Sequence, residues 1–177
     1  NLPWMQQRLP EMLRRNFFKK ENSLFFTQLK AAATTYSGTG VGIIALVEAI
    51  GALEASDYGV NGIVINPADW ATLSVTRDNE NGFTLPSTVT FVNGQLTVNG
   101  VPVYKASFVP ANNFIVGDWT YAYKYVTDGL KVEFFEQDEN NVETNAITSR
   151  VEESNVLVIE QPAAFIWGEL DGATPSV

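Results

Sequence analysis

An α+β fold, with helices first and a mostly antiparallel sheet after them, is the class this sequence predicts. Three observations carry that expectation. Apolar residues recur at three- and four-residue steps near the start of residues 2–30 and again through 43–53. Asn93-Gly94 and Asn99-Gly100 are two successive hairpin signals between alternating strands. No helical crossover separates the later strands, which excludes a doubly wound parallel sheet.

The elements follow in order. Leu2, Met5, Leu9, Met12 and Leu13 begin a first helix, in which Pro3 and Pro10 predict a kink or a late start. Tyr36 to Gly42 reads as a flexible loop; no strand precedes it and its glycine spacing does not suit a dinucleotide turn. Ile43, Leu46, Val47, Ile50 and Leu53 form the core stripe of a second helix ending near Ser56 to Gly59. Residues 62–66 make a buried strand, and Asn66-Pro67 supplies an N-cap and first-turn proline for a short helix to about Val75, closed by the cluster Asp78 to Gly82. Strands are expected at 88–92, 95–98, 101–109, 114–118, 120–127 and 130–135, with a turn at Asp128-Gly129. A long strand then runs from about Ala146 to Ile159, Pro162 ends it, and Ala163 to Trp167 forms the last segment.

Composition narrows the function. At 177 residues and 45% hydrophobic, the chain supports one substantial core, in at most two lobes. It contains no cysteine and no histidine, which removes disulfides, thiolate chemistry, the usual neutral-pH general base and the commonest metal ligand. No apolar run reaches membrane-spanning length, and no signal peptide is visible in the basic first 30 residues. The opening at Asn1, without Met, reads as the start of a processed or truncated piece.

Net charge is −9, unevenly spread. Residues 1–30 hold six bases against two acids, and the other 147 residues hold 18 acids against five bases. An acidic body repels nucleic acid, whereas the basic helix suits DNA, a neighbour's acidic face, or plain solvation. Glu133, Glu136, Asp138, Glu139 and Glu143 form an acidic run without a calcium-loop spacing and read as a solvated loop. Glu152 and Glu153 are adjacent on a strand, point to opposite faces and make no two-carboxylate site. No metal, cofactor or catalytic turnover is expected. Trp70 and Phe165 read as core; Trp4, Phe17, Phe18 and Trp119 suit either core or contacts.

Several segments in fixed order carry a family resemblance: Asn66-Pro-Ala-Asp-Trp70, Asn99-Gly-Val-Pro-Val103, Val116-Gly-Asp-Trp119, Asn145-Ala-Ile-Thr-Ser-Arg-Val-Glu-Glu153 and Gln161-Pro-Ala-Ala-Phe-Ile-Trp-Gly168. Together they resemble the major capsid proteins of tailed double-stranded DNA bacteriophages and prophages, the Hong Kong 97 fold. The resemblance implies a peripheral lobe with a spine helix and long sheet, residues 1–35 and 131–160, and an axial lobe of mixed sheet and helices, residues 36–130 and 161–177. It implies a structural subunit of an icosahedral capsid, with copies of itself in pentamers and hexamers, scaffold and portal proteins, and non-specifically packaged DNA as partners. It also implies residence in the virion capsid after assembly in the bacterial cytoplasm, and no membrane partner.

The family's N-terminal arm and extended loop have no counterpart here, so a monomer or small ring is expected of this chain rather than a closed shell. Some members join subunits by an isopeptide bond in which a buried glutamate activates a loop lysine towards a neighbour's asparagine; the matching positions here are Asn145 and Glu152. Two other functions remain open. An encapsulin-like compartment shell shares the fold, and a carbohydrate-binding β-rich module would use Tyr121, Tyr123 and Tyr125, which alternate along one predicted strand.

Overall fold

The computed structural model describes residues 2–75, 89–135, 141–144 and 146–172. The chain divides into two compact units, each built from two separate stretches: residues 1–25 with 123–158, and residues 26–122 with 159–177. The expected division has the same interleaved plan with breaks at 35, 130 and 160. The cluster Asp78 to Gly82 lies outside the described residues.

The larger unit is organised by a seven-stranded mixed sheet. In chain order its strands are β1 (Thr34–Thr35), β2 (Gly62–Ile65), β3 (Val89–Val92), β4 (Gln95–Val98), β5 (Val101–Lys105), β6 (Asn113–Gly117) and β9 (Phe165–Glu169); across the sheet they run β1-β9-β6-β2-β5-β4-β3. β9 runs parallel to β1 and antiparallel to β6, placing Ile115 opposite Trp167. β2 is parallel to β5 and antiparallel to β6, with Ile63 opposite both Val103 and Val116.

Both faces of this sheet are covered, so the side-chain period of two sorts its residues into two cores. On one face α2 (Ile43–Glu54) lays Leu46, Ile50 and Leu53 over Ile63, Ile65, Phe114 and Val116, joined by Leu73 of α3 (Pro67–Ser74). On the other face Phe26 and Leu29, from the end of α1 (Leu2–Ala32), pack with Ile115, Phe165 and Trp167. Lys30 stacks its ammonium 4.1 Å from the Trp167 ring.

Local chemistry explains the connections. Asn66 caps α3 by accepting from the Ala68 N–H at 2.9 Å, with Pro67 in the first turn, while its amide donates to Val109 O at 2.7 Å. Asn93-Gly94 and Asn99-Gly100 hold positive φ at both positions, the condition for tight hairpins between β3, β4 and β5. In the Gly-Asp-Trp segment, a Cβ on Gly117 would collide with the Phe165 ring. Asp118 accepts from Asn61 Nδ2, Thr120 N and Thr120 Oγ1, and Trp119 donates its indole N–H to Gly62 O at 3.1 Å. That sequence motif is therefore a packing device.

The smaller unit contains most of α1, β7 (Ala122–Phe135), the short α4 (Asn141–Thr144) and β8 (Thr148–Ile159), with β7 and β8 paired as a two-stranded ribbon. Two expectations are corrected here and in the larger unit. Asp128-Gly129 makes no turn: β7 continues through it for 14 residues, with Gly129 outside the left-handed region, because pairing with a 12-residue β8 outweighs the local turn preference. The loop at Tyr36 is anchored: Tyr36 is 8% exposed, and its N–H donates to Trp167 O at 2.7 Å. The last strand begins at Phe165, after a 3-10 turn at Pro162–Ala164.

Glycine contacts give opposite expectations at two sites. Gly117→Ala should destabilise the protein by about 1–3 kcal/mol, since its methyl meets the buried Phe165 ring and Ala164 O. Gly51→Ala, in a helix interior with nothing within 4 Å, should add about 0.5–1 kcal/mol. Thermal denaturation of both variants measures the difference.

Candidate functional site

The most highly constrained polar cluster joins three segments of the smaller unit. Glu21 of α1 and Glu153 of β8 present carboxylates whose side chains are 8% and 4% exposed, and Lys124 of β7 places its ammonium 2.8 Å from the first and 2.5 Å from the second. Asn155 completes the group, donating to Glu21 Oε1 at 2.5 Å and Glu153 Oε1 at 3.0 Å. Phe18 and Phe25 rings lie 5.8 and 5.9 Å from the ammonium. The hydrogen bond from Lys124 is the leading cause that holds the Glu153 carboxyl below its ordinary range, and Asn155 adds to it. Burial alone would lower the Lys124 pKa, but the bonds to Glu153 and Glu21 outweigh it and raise the pKa.

This clamp has no free valence for chemistry. Both carboxylates bind the same ammonium, and every donor present faces an acceptor. The arrangement fixes α1 against β7 and β8. It was absent from the sequence reading because Glu21 and Asn155 lie 134 positions apart. The visible signal was limited to Glu153 and Asn155, which share a strand face by their spacing of two.

In the larger unit a cleft of about 520 Å³ is lined by Thr34, Tyr36, Glu48, Ser56, Tyr58 and neighbouring residues. Its ionisable groups are engaged with each other: the Tyr36 hydroxyl donates to Glu48, and the Gly40 N–H donates at 3.1 Å to each oxygen. Burial first, then the hydrogen bond to Glu48, pushes the Tyr36 pKa up to about 12. The same hydrogen bond lowers that of Glu48.

The residues singled out from the sequence are distributed as follows. Asn145 lies outside the described residues. Glu152 is half exposed and sits 3.4 Å from Arg150, which also binds Glu133 at 2.5 Å. The buried neighbour is Glu153. Of the acidic run, Glu136, Asp138 and Glu139 are outside the described residues. The three-tyrosine platform does not form: Tyr121 belongs to a 3-10 turn and packs edge-on to Tyr58, leaving Tyr123 and Tyr125 as a pair 6.3 Å apart. Phe165 is fully buried, Trp70 partly buried, Phe17 half-buried and Phe18 41% exposed.

Two measurements follow from these geometries. Lys124→Met leaves two buried carboxylates without a cation and should cost on the order of 3 kcal/mol at neutral pH. The loss should shrink under acid: with its folded-state pKa lowered, Glu153 contributes stability above its ordinary value of 4.5 that disappears as pH falls through the folded value. Guanidinium denaturation across pH checks both. Spectrophotometric titration should find one tyrosine ionising near 12, lost in Tyr36→Phe; because the pKa is raised, stability from this group is complete below 10.0 and lost as pH rises through about 12.

Known proteins resemble this chain along nearly its whole length. Residues 5–170 match the phage capsid family. The major capsid protein of Enterobacteria phage HK97 is 30% identical over 125 residues, which is 70% of this chain and 32% of that protein. A solved Mycobacterium phage Che8 chain superposes with a TM-score of 0.65 at 11% identity, covering 88% of this chain and 60% of its own. The Synechococcus elongatus PCC 7942 SrpI encapsulin superposes with a TM-score of 0.52 at 15% identity, covering 83% and 56%. The chain thus spans between about a third and three fifths of these relatives. With a family match that runs through both units, this chain belongs to the phage capsid family.

Proposed function

We propose that this polypeptide is a structural subunit of a phage or prophage icosahedral capsid, assembling with copies of itself around double-stranded DNA without catalytic turnover. The observation that carries the reading is a family match extending across both interleaved units, reinforced by 30% identity to a major capsid protein. The site geometry supports it: the best-formed polar cluster is a clamp, and the ionisable groups of the main cleft satisfy each other. By this reading residues 1–35 with 131–160 form the peripheral lobe and the remainder the axial lobe. The protein resides in the virion after assembly in the host cytoplasm, with scaffold and portal proteins as further partners and DNA held non-specifically.

Cross-linking through Asn145 with Glu152 as base belongs to the same proposal on one condition. A neighbouring copy must exclude water from Glu152, since a carboxylate works as a base towards lysine only when desolvation raises its pKa.

Electron microscopy of particles made from the gene's complete product tests the reading. Closed shells of five- and sixfold rings containing this polypeptide, with nuclease-protected DNA inside, are expected. Unassembled protein overturns the reading, and shells filled with an enzyme instead of DNA replace it with the compartment function.

A further inference from the structure

We propose that the outward face of α1 docks on the β7–β8 ribbon of a second copy, head to tail. This rests on the capsid reading and assigns it a specific contact. Residues 1–25 hold five bases against two acids, and residues 123–158 hold eight acids against three bases, so the two stretches of the smaller unit are electrostatic complements. Within one copy they already meet through a single helix face, that of Glu21 and Phe25.

The opposite face is unused. At 100° per residue, Arg8, Met12, Arg15 and Lys19 follow an i, i+4, i+7, i+11 stripe roughly opposite Glu21. Met12 is 57% exposed at its centre, and Arg15 and Lys19 meet no carboxylate among the described residues. A solvated helix face would not need a methionine flanked by unpaired cations. The matching surface is the outer side of the ribbon. There Glu152 and Asp128, with side chains 49% and 65% exposed, border a shallow concavity of about 280 Å³, and Val156, 53% exposed, supplies apolar area on the same face of β8. Two-stranded ribbons are marginal alone and gain from a covering element.

A helix from one copy on the ribbon of the next uses different patches on each partner. Such heterologous contacts propagate into rings when the rotation closes.

The test is sedimentation velocity of this chain at low ionic strength. The unmodified chain should associate, and added salt should weaken that association. A helix variant, Arg15→Glu with Lys19→Glu, and a ribbon variant, Asp128→Lys with Glu152→Lys, should each lose affinity by more than about tenfold. An equimolar mixture of the two should associate again, because the reversed helix meets the reversed ribbon; a misfolded variant could not be rescued this way. An unmodified chain that stays monomeric, a helix variant that associates normally, or a mixture that stays monomeric overturns the contact. Each of these results leaves the shell reading to its own microscopy test.

Discussion

A single ammonium, that of Lys124, holds together three chain segments that would otherwise repel. Glu21 and Glu153 come from opposite ends of the sequence and are almost removed from water, so each would be costly to bury without a shared cation. Asn155 fills the remaining acceptor capacity. The smaller unit has little else to define it: its sheet has only two strands, and most of α1 before Phe26 is exposed. A polar clamp also specifies geometry in a way that apolar contact does not, because an ammonium between two carboxylates tolerates little sliding. Position along the helix is fixed at Glu21, and position along the ribbon at Lys124 and Asn155.

The larger unit achieves definition by the opposite means. Its sheet is covered on both faces, and alternate residues of β2, β6 and β9 belong to different cores. Ile63 and Ile65 face one layer and Val64 the other; Phe114 and Val116 face one and Ile115 the other. A slip of one residue would exchange these sets, so register is strongly enforced. Polar groups near the core are satisfied locally, as at Asp118 and at the Tyr36–Glu48 pair, and this leaves no set of free donors and bases from which an active site is normally built.

How far the sequence discloses this depends on the range of each interaction. The stripe of α2, the Asn66 cap and the two Asn-Gly turns are local, and all appear where the pattern places them. Membership of the capsid family was likewise readable, because short packing motifs such as Gly117-Asp118-Trp119 keep their order. Asp128-Gly129 misled because turn propensity is worth little against the hydrogen bonds of a long paired strand. The burial of Tyr36 depends on Trp167, and the clamp depends on residues 134 apart; neither leaves a trace in any window of neighbouring residues. Glu153 rather than Glu152 turned inward for a similar reason: alternation says the two differ, but only the position of α1 decides which faces the helix.

The insertion of β9 between β1 and β6 has a consequence for synthesis on the ribosome. Every other strand of the large sheet has emerged by Gly117, yet the slot at the centre of one half stays empty until Phe165 to Glu169 are made. During that interval β6 offers Phe114, Ile115 and Val116 along an open hydrogen-bonding edge, the kind of template that recruits another unfinished chain. On a polysome many such edges lie close together. Timely delivery of the final strand, or a chaperone shielding that edge, therefore separates productive folding from aggregation before any contact between finished subunits begins.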